Sequence, residues 1–186
     1  INNFPITTPH LTDNLAKNIL CSFALASELG IKPAIFEKRI NSFSLPEGRG
    51  NIVNKNQYLI INDTYNSNYS STISGIESLK SFPDSKNRKI VVLGDMLELG
   101  EKAKDFHIGI LDYLIKNNIK NVFIYGELMR NLYESSLNKD IDINIFYFTN
   151  QDKLIKKLKT YIAKNDIIYI KGSRSMKMEN IIKGIC

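Results

Sequence analysis

Residues 58–75 read YLIINDTYNSNYSSTISG. The first four are an unbroken apolar run of strand length, and Asn62, Asp63, Asn66 and Asn68 follow at once among the hydroxyls of Thr64, Ser67, Ser70 and Ser71. A helix is then expected over 70–79. A strand that empties into such residues ahead of a helix is either turn and cap chemistry or a binding site.

The same grammar recurs along the chain. Apolar runs at 90–93, 122–125, 145–148 and 167–170 alternate with helix-length segments. Continuous β-branched runs alternating with helices predict strands buried on both faces. The expected fold is therefore α/β: an open, mostly parallel, Rossmann-like sheet with helices on both faces. In such sheets ligands sit at the carboxyl ends of the strands. The exits here are Asp63-Thr64-Tyr65-Asn66, Gly94-Asp95-Met96, Gly126-Glu127, Thr149-Asn150 and Lys171-Gly172-Ser173-Arg174. Two carry Asp and one carries Lys and Arg, which suits a nucleotide or a phosphorylated ligand.

Ahead of the first strand the pattern is helical. Leu11, Leu15, Ile19, Phe23 and Ala26 recur at helical spacing, with Gly30 at the expected C-cap. A second helix fits 33–43, with Pro33 in its first turn and Ile35, Phe36 and Ile40 facing inward. The stretch SLPEGRG at 44–50 breaks the pattern. It divides a helical segment, residues 1–47, from an α/β domain over 48–186. The chain opens at Ile1 rather than at a methionine, as expected of a piece of a longer protein.

Composition narrows the function classes. The chain has 186 residues, 43% of them hydrophobic, enough for one good core. Its net charge is +6, but the 25 Lys and Arg are interleaved with 19 acids. Only Lys153, Lys156, Lys157 and Lys159 bunch together, which reads as a solvated helix face and not as a nucleic-acid site. Cys21 and Cys186 give neither a disulfide framework nor a metal spacing, as suits a reducing cytoplasm. No stretch has the apolar length of a membrane span. Neither G-x-x-x-x-G-K-[ST] nor G-x-G-x-x-G occurs, and His10 and His107 lack zinc spacing. His107, beside Phe106, reads as packed or exposed. If the chain serves an enzyme, the main phosphate-handling loop lies elsewhere.

Three stretches carry a family resemblance: DTYNSN at 63–68 with its helix, VVLGDMLELGEKAKDFH at 91–107, and YIKGSRSMKME at 169–179. Together they resemble the C-terminal domain of a Mur ligase, nearest to the branch that adds D-alanyl-D-alanine to the UDP-N-acetylmuramoyl-tripeptide. The helix from Asn18 to Gly30 resembles the closing helix of that family's central ATP-binding domain. Glu47-Gly48-Arg49 resembles its interdomain glycine-arginine. One departure is that Leu20, Cys21, Ser22 and Phe23 follow Asn18 where the family has a small, Ala-rich run. The resemblance implies an ATP-dependent amide ligase of peptidoglycan precursor synthesis, cytoplasmic, in which the γ-phosphate turns a carboxylate into an acyl phosphate that the amine of D-alanyl-D-alanine attacks. ATP and Mg²⁺ are the implied cofactors. The P-loop and the magnesium ligands are expected upstream in the remainder of the same ligase chain, so no metal site is expected here and the fragment alone is expected to be inactive.

The same resemblance implies roles for particular residues. Asp63 would accept from the ribose hydroxyls, Arg49 would reach the nucleotide phosphates, and Asn18 would contact adenine. Asn66 and Asn68 would face the incoming dipeptide, and Lys171, Ser173 and Arg174 would receive its carboxylate. Each has a plainer reading: Asp63 and Asn66 as turn formers, Ser70 or Ser71 capping the next helix, Ser173 or Ser175 capping the last one, and Arg49 as a solvated linker charge. Gly94 to Gly100 marks the branch, with Met96, Leu97 and Leu99 reading as packing. The alternative from another class is a non-catalytic nucleotide-binding or phosphoryl-receiver-like signalling module. Asp63, Thr149 and Lys171 imitate a receiver's acid, hydroxyl and lysine, although Gly126-Glu127 stands where its phospho-accepting Asp would be.

Overall fold

The computed structural model describes residues 5–6, 13–55, 57–82 and 88–186. They fall into two compact units, Ile1–Leu45 and Pro46–Cys186.

The first unit holds α1 (Asp13–Glu28) and α2 (Pro33–Asn41). Ile19 and Ala26 are buried, Leu15 and Phe23 half-buried, and Phe23 meets Phe36 edge-on at 5.2 Å. Gly30 N–H donates to Ser27 O and Ile31 N–H to Ala26 O, so α1 ends in a glycine cap as its sequence predicts. Leu11 and His10 lie outside the described residues. The inward role expected of Ile35 is not seen: it is exposed, and α2 buries no residue. Two short helices have too little surface to cover both apolar stripes, and Leu20, Leu25 and Leu29 also stand exposed.

The second unit is a six-stranded sheet. In chain order it comprises β1 (Asn51–Lys55), β2 (Tyr58–Asp63), α3 (Tyr69–Ser78), β3 (Lys89–Gly94), α4 (Ala103–Lys116), β4 (Asn121–Tyr125), α5 (Met129–Leu137), β5 (Asn144–Phe148), α6 (Gln151–Tyr161), β6 (Ile167–Lys171) and α7 (Glu179–Ile185). The strand order is β1-β2-β6-β3-β4-β5, parallel except for the β1–β2 hairpin. All five apolar runs are strands. The sequence reading omits β1, whose NIVNK has only two adjacent apolar residues and no continuous run.

Successive side chains of a strand face opposite ways, so a strand covered on both sides must be apolar throughout. Ile61, Val91, Ile124 and Tyr169 face one core with α3, α4 and α5. Ile60, Ile90, Phe123 and Ile168 face the other with α6 and α7. The order also sets distances along the rim. β5 lies four strands from β2, roughly 19 Å at the usual spacing of about 4.8 Å, so Thr149 cannot join Asp63 and Lys171. That removes the geometric basis of the receiver-like reading.

Candidate functional site

The rim is built around two strand ends. Asp63 closes β2, Lys171 closes β6, and the two are register partners on neighbouring parallel strands. Side chains at such positions project the same way, so the carboxylate and the ammonium meet without any loop arranging them. Lys171 Nζ donates to Asp63 Oδ2 at 2.7 Å and to Asn66 O at 2.9 Å. Tyr169, two residues earlier on the same face of β6, donates its hydroxyl to the same Oδ2 at 2.9 Å. Burial, then the Asp63 charge and this hydrogen bond, push the Tyr169 phenol well above its ordinary pKa, so it remains a donor.

Both donors converge on one oxygen. Among the described residues Asp63 Oδ1 accepts no hydrogen bond, and the side chain is 22% exposed. A carboxylate anchored through Oδ2 with Oδ1 open is a fixed acceptor, able to take one or both hydroxyls of a diol. The turn reading of Asp63 is therefore corrected: it bonds across the sheet to β6. Asn66 does make a local turn, its Oδ1 accepting from Ser67 N–H at 2.9 Å.

The cap of α3 also differs from expectation. Asn68, not Ser70 or Ser71, is the N-cap: its Oδ1 accepts from Ser71 N–H at 2.8 Å, and Ser71 Oγ accepts from Asn68 N–H at 3.1 Å. This reciprocal box occupies the oxygen of Asn68, whose amide is otherwise exposed. Buried Ser67 and Thr72 share a hydroxyl contact beneath the turn.

Lys171 and Ser173 are placed differently from the surface role first expected of them. Lys171 is 3% exposed, and its ammonium is directed inward at Asp63 and Asn66. Ser173 is buried and caps no helix. Its Oγ accepts from Leu97 N–H at 2.8 Å and its N–H donates to Asp95 O at 3.0 Å, tying the β6 exit to the β3 exit. Helix α7 begins only at Glu179, and neither Ser173 nor Ser175 reaches it.

The cation that does stand at the surface is Arg174, 65% exposed and 3.4 Å from Glu179 Oε1. Its guanidinium carbon lies 5.9 Å from the ring centre of Tyr65, and that of Arg49 lies 3.8 Å from the same ring. Tyr65, an exposed aromatic between two guanidiniums, was not singled out from the sequence. Its position two residues after Asp63 is the available signal. The linker reading of Arg49 is also corrected. Gly48 O accepts from Tyr65 N–H at 3.0 Å, and Gly50 N–H donates to Asn62 O at 2.7 Å, so the turn carrying Arg49 is fastened to the exit of β2. Asn18 is exposed on α1, in the other unit.

The Gly94–Gly100 loop organises the rim from behind. Asp95 is buried, and its carboxylate accepts from the N–H groups of Leu128 and Met129 at 3.2 and 2.8 Å, capping α5 from another element. Burial raises the Asp95 pKa, and those two backbone bonds oppose the rise. Gly126, at φ +119°, leaves the space: a Cβ there would lie 2.3 Å from Asp95 Cγ. His107 is fully buried. Its Nε2 accepts from Met96 N–H at 3.0 Å, which places the ring proton on Nδ1, donated to Ala103 O at 2.6 Å. Desolvation lowers its pKa, so His107 is a neutral bracket for the loop, packed and not exposed. Met96 is buried as expected and takes a contact from the Thr72 hydroxyl at 3.4 Å.

An open, mostly parallel sheet with an anchored acceptor and exposed guanidiniums at its carboxyl rim defines an α/β domain of the doubly wound kind. Residues 48–174 match the family described as Mur ligase, glutamate ligase domain, and the chain belongs to that family. It is similar to the UDP-N-acetylmuramoyl-tripeptide--D-alanyl-D-alanine ligases of Rickettsia prowazekii, 29% identical over 98% of this chain, and of Buchnera aphidicola subsp. Baizongia pistaciae, 33% identical over 96%. It spans 40% and 37% of those two proteins. Among solved structures it is similar to the MurF ligase of Thermotoga maritima in complex with ADP, with a TM-score of 0.80 and 27% identity over 95% of this chain and 38% of that one.

Proposed function

We propose that this chain is the C-terminal part of an ATP-dependent amide ligase that adds D-alanyl-D-alanine to a UDP-N-acetylmuramoyl-tripeptide. The observation that carries the reading is Asp63: an anchored carboxylate with one free oxygen at the rim of a domain whose relatives bear that enzyme's name. ATP supplies the activation, converting the tripeptide carboxylate into an acyl phosphate from which the amine displaces phosphate. This chain's residues position the reactants. Asp63 Oδ1 accepts from the ribose diol. Lys171 and Tyr169 hold that carboxylate in place, and Lys171 also fixes the Asn66 carbonyl.

Arg49 reaches toward phosphate, and Arg174 takes the dipeptide carboxylate, a planar acceptor suited to a guanidinium. The exposed amides of Asn66 and Asn68 face the dipeptide. Ser173 aligns the β6 exit with Asp95, and Asn18 is assigned to the adenine. Mg²⁺ is assigned to the remainder of the ligase, as the family resemblance implies. No described helix is long and apolar enough to cross a membrane; the nucleotide-sugar substrate and ATP place the enzyme in the cytoplasm.

The test is made on the complete reading frame that includes this chain. With ATP, Mg²⁺ and the tripeptide precursor present, D-alanyl-D-alanine is expected to give the pentapeptide product with stoichiometric phosphate release, and D-glutamate none. Ligation of D-glutamate instead would assign the chain to another branch of the family.

A further inference from the structure

The charge of this protein is unevenly spread. Residues 151–186 hold nine Lys and Arg against three acids, a net of +6, which is the net charge of the entire chain. Residues 1–150, with 16 of each sign, are neutral. Two of the charges in the last segment are internal: Lys171 pairs with Asp63, and Asp166 pairs with Arg88 at 2.7 Å. Arg174 pairs with Glu179. That leaves seven exposed lysines, at 153, 156, 157, 159, 164, 177 and 183, against the single carboxylate of Asp152. None of the seven forms an ion pair with a described residue.

The fold puts five of them on two neighbouring helices, Lys153, Lys156, Lys157 and Lys159 on α6 and Lys183 on α7. Helices α6 and α7 pack beside each other over the sheet face formed by Ile60, Val92, Phe123 and Ile170. On α6, Leu154 and Leu158 point into that core, and helical spacing puts Lys156 on the opposite, outward side with Lys153 and Lys157 exposed on the flanks, Lys157 Nζ lying 5.3 Å from the ring centre of Phe146. The helices of the other face mix signs, and the lysine pair there, Lys139–Asp112, is neutralised. Seven ammonium groups without an ion pair among the described residues repel one another, so a solvated face that serves only solubility gains nothing from holding them together.

We propose that the α6–α7 face is an electrostatic docking surface for an anionic lipid bilayer, engaged at the headgroups without insertion. The chemistry of the face selects this partner. No large hydrophobic side chain in residues 151–186 is strongly exposed, so nothing is offered to the acyl region and no aromatic is offered to a nucleobase. Seven flexible, strongly hydrated ammonium groups, five on α6 and α7 and two in the loops at 164 and 177, match a diffuse plane of headgroup charge, which needs no directional readout.

Co-sedimentation of this chain with phosphatidylcholine vesicles containing phosphatidylglycerol, against phosphatidylcholine alone, tests the proposal. Binding is expected only to the anionic vesicles and is expected to fall steeply with added salt. Lys153→Gln/Lys156→Gln/Lys157→Gln keeps a good helix former at each position and is expected to weaken partitioning by roughly fivefold per lysine, about a hundredfold in all. Lys80→Gln/Lys102→Gln/Lys104→Gln, which removes the same charge elsewhere, is expected to change it far less. Equal binding to neutral vesicles would trace adsorption to the exposed leucines of α1 and overturn the proposal. Equal loss in the two triple variants would do so as well. Tighter binding of single-stranded RNA than of anionic vesicles, lost with the same α6 lysines, would overturn it in favour of a nucleic-acid surface.

Discussion

Lys171 is buried beneath Asp63 in an asymmetric pair: the ammonium is 3% exposed, the carboxylate 22%, and they meet at 2.7 Å. Each partner therefore leaves a different remnant when the other is removed. Asp63→Ala strands a buried cation and is expected to cost about 3–5 kcal/mol. Lys171→Met leaves a carboxylate that water and Tyr169 still reach, and is expected to cost less. Urea unfolding of both variants, followed by circular dichroism, measures the difference. Equal costs would mean that the carboxylate is as dependent on the lysine as the lysine is on it.

His107 gives a pH dependence whose sign follows from its surroundings. Its folded pKa lies below the ordinary 6.5, chiefly through burial, with the Ala103 carbonyl and the Asp95 charge opposing. As pH falls below about 6.5 the unfolded chain takes up a proton that the native imidazole refuses, so stability present above that value is lost, at up to about 1.4 kcal/mol per pH unit. Asp95 works in the opposite sense: its raised pKa makes the native state the better proton acceptor as pH falls. His107→Gln keeps an acceptor for Met96 N–H and removes the titration. Its stability curve is expected to be flatter than the parent's between pH 6.5 and 5, read from urea midpoints at each pH; parallel curves would exclude His107 as the source.

Gly75 tests how tightly the site is backed. On α3 it faces Tyr169, and a Cβ at this position would lie 1.7 Å from the tyrosine hydroxyl and 2.3 Å from Cζ. In a free helix Gly→Ala would stabilise by about 1 kcal/mol. Here it is expected to destabilise by about 1–3 kcal/mol, because Tyr169 must move and release Asp63. With Tyr169→Phe the hydroxyl is gone, so the double variant is expected to cost less than the two single costs added. Strict additivity in a thermal-denaturation cycle would mean that the methyl is absorbed elsewhere.

How far the sequence shows this site depends on the range of the interactions. The five parallel strands are legible because each is a local run, but their order across the sheet is not, since β6 enters between β2 and β3. β1 is not, because a short edge strand needs only a partner. Register pairing of Asp63 with Lys171 cannot be read locally, since 108 residues separate them. For that reason the turn reading of Asp63 looked adequate and Lys171 looked free. Asp95 capping α5 and Ser173 receiving Leu97 N–H are likewise contacts between loops distant in the chain. Tyr65 was overlooked because an exposed tyrosine has no periodicity; only the fold brings Arg49 and Arg174 to its ring.

The two oxygens of Asp63 separate binding from support, and this can be tested in the complete ligase. If Oδ1 receives the ribose diol, Asp63→Asn weakens a charge-assisted hydrogen bond and is expected to cost about 1.5–3 kcal/mol in nucleotide binding, roughly ten- to hundredfold in affinity or in kcat/KM for ATP. Tyr169→Phe removes a donor only from Oδ2. It is expected to lower thermal stability while leaving the KM for ATP nearly unchanged, because Lys171 still fixes the carboxylate from the same side. Arg174→Met supplies the third comparison. It touches neither oxygen, and it is expected to raise the KM for D-alanyl-D-alanine and not that for ATP. KM values for both substrates in the three variants, with melting curves to confirm folding, give a pattern that a purely structural Asp63 cannot produce. Such a residue would move stability alone, and Asp63→Asn would then resemble Tyr169→Phe in every measurement.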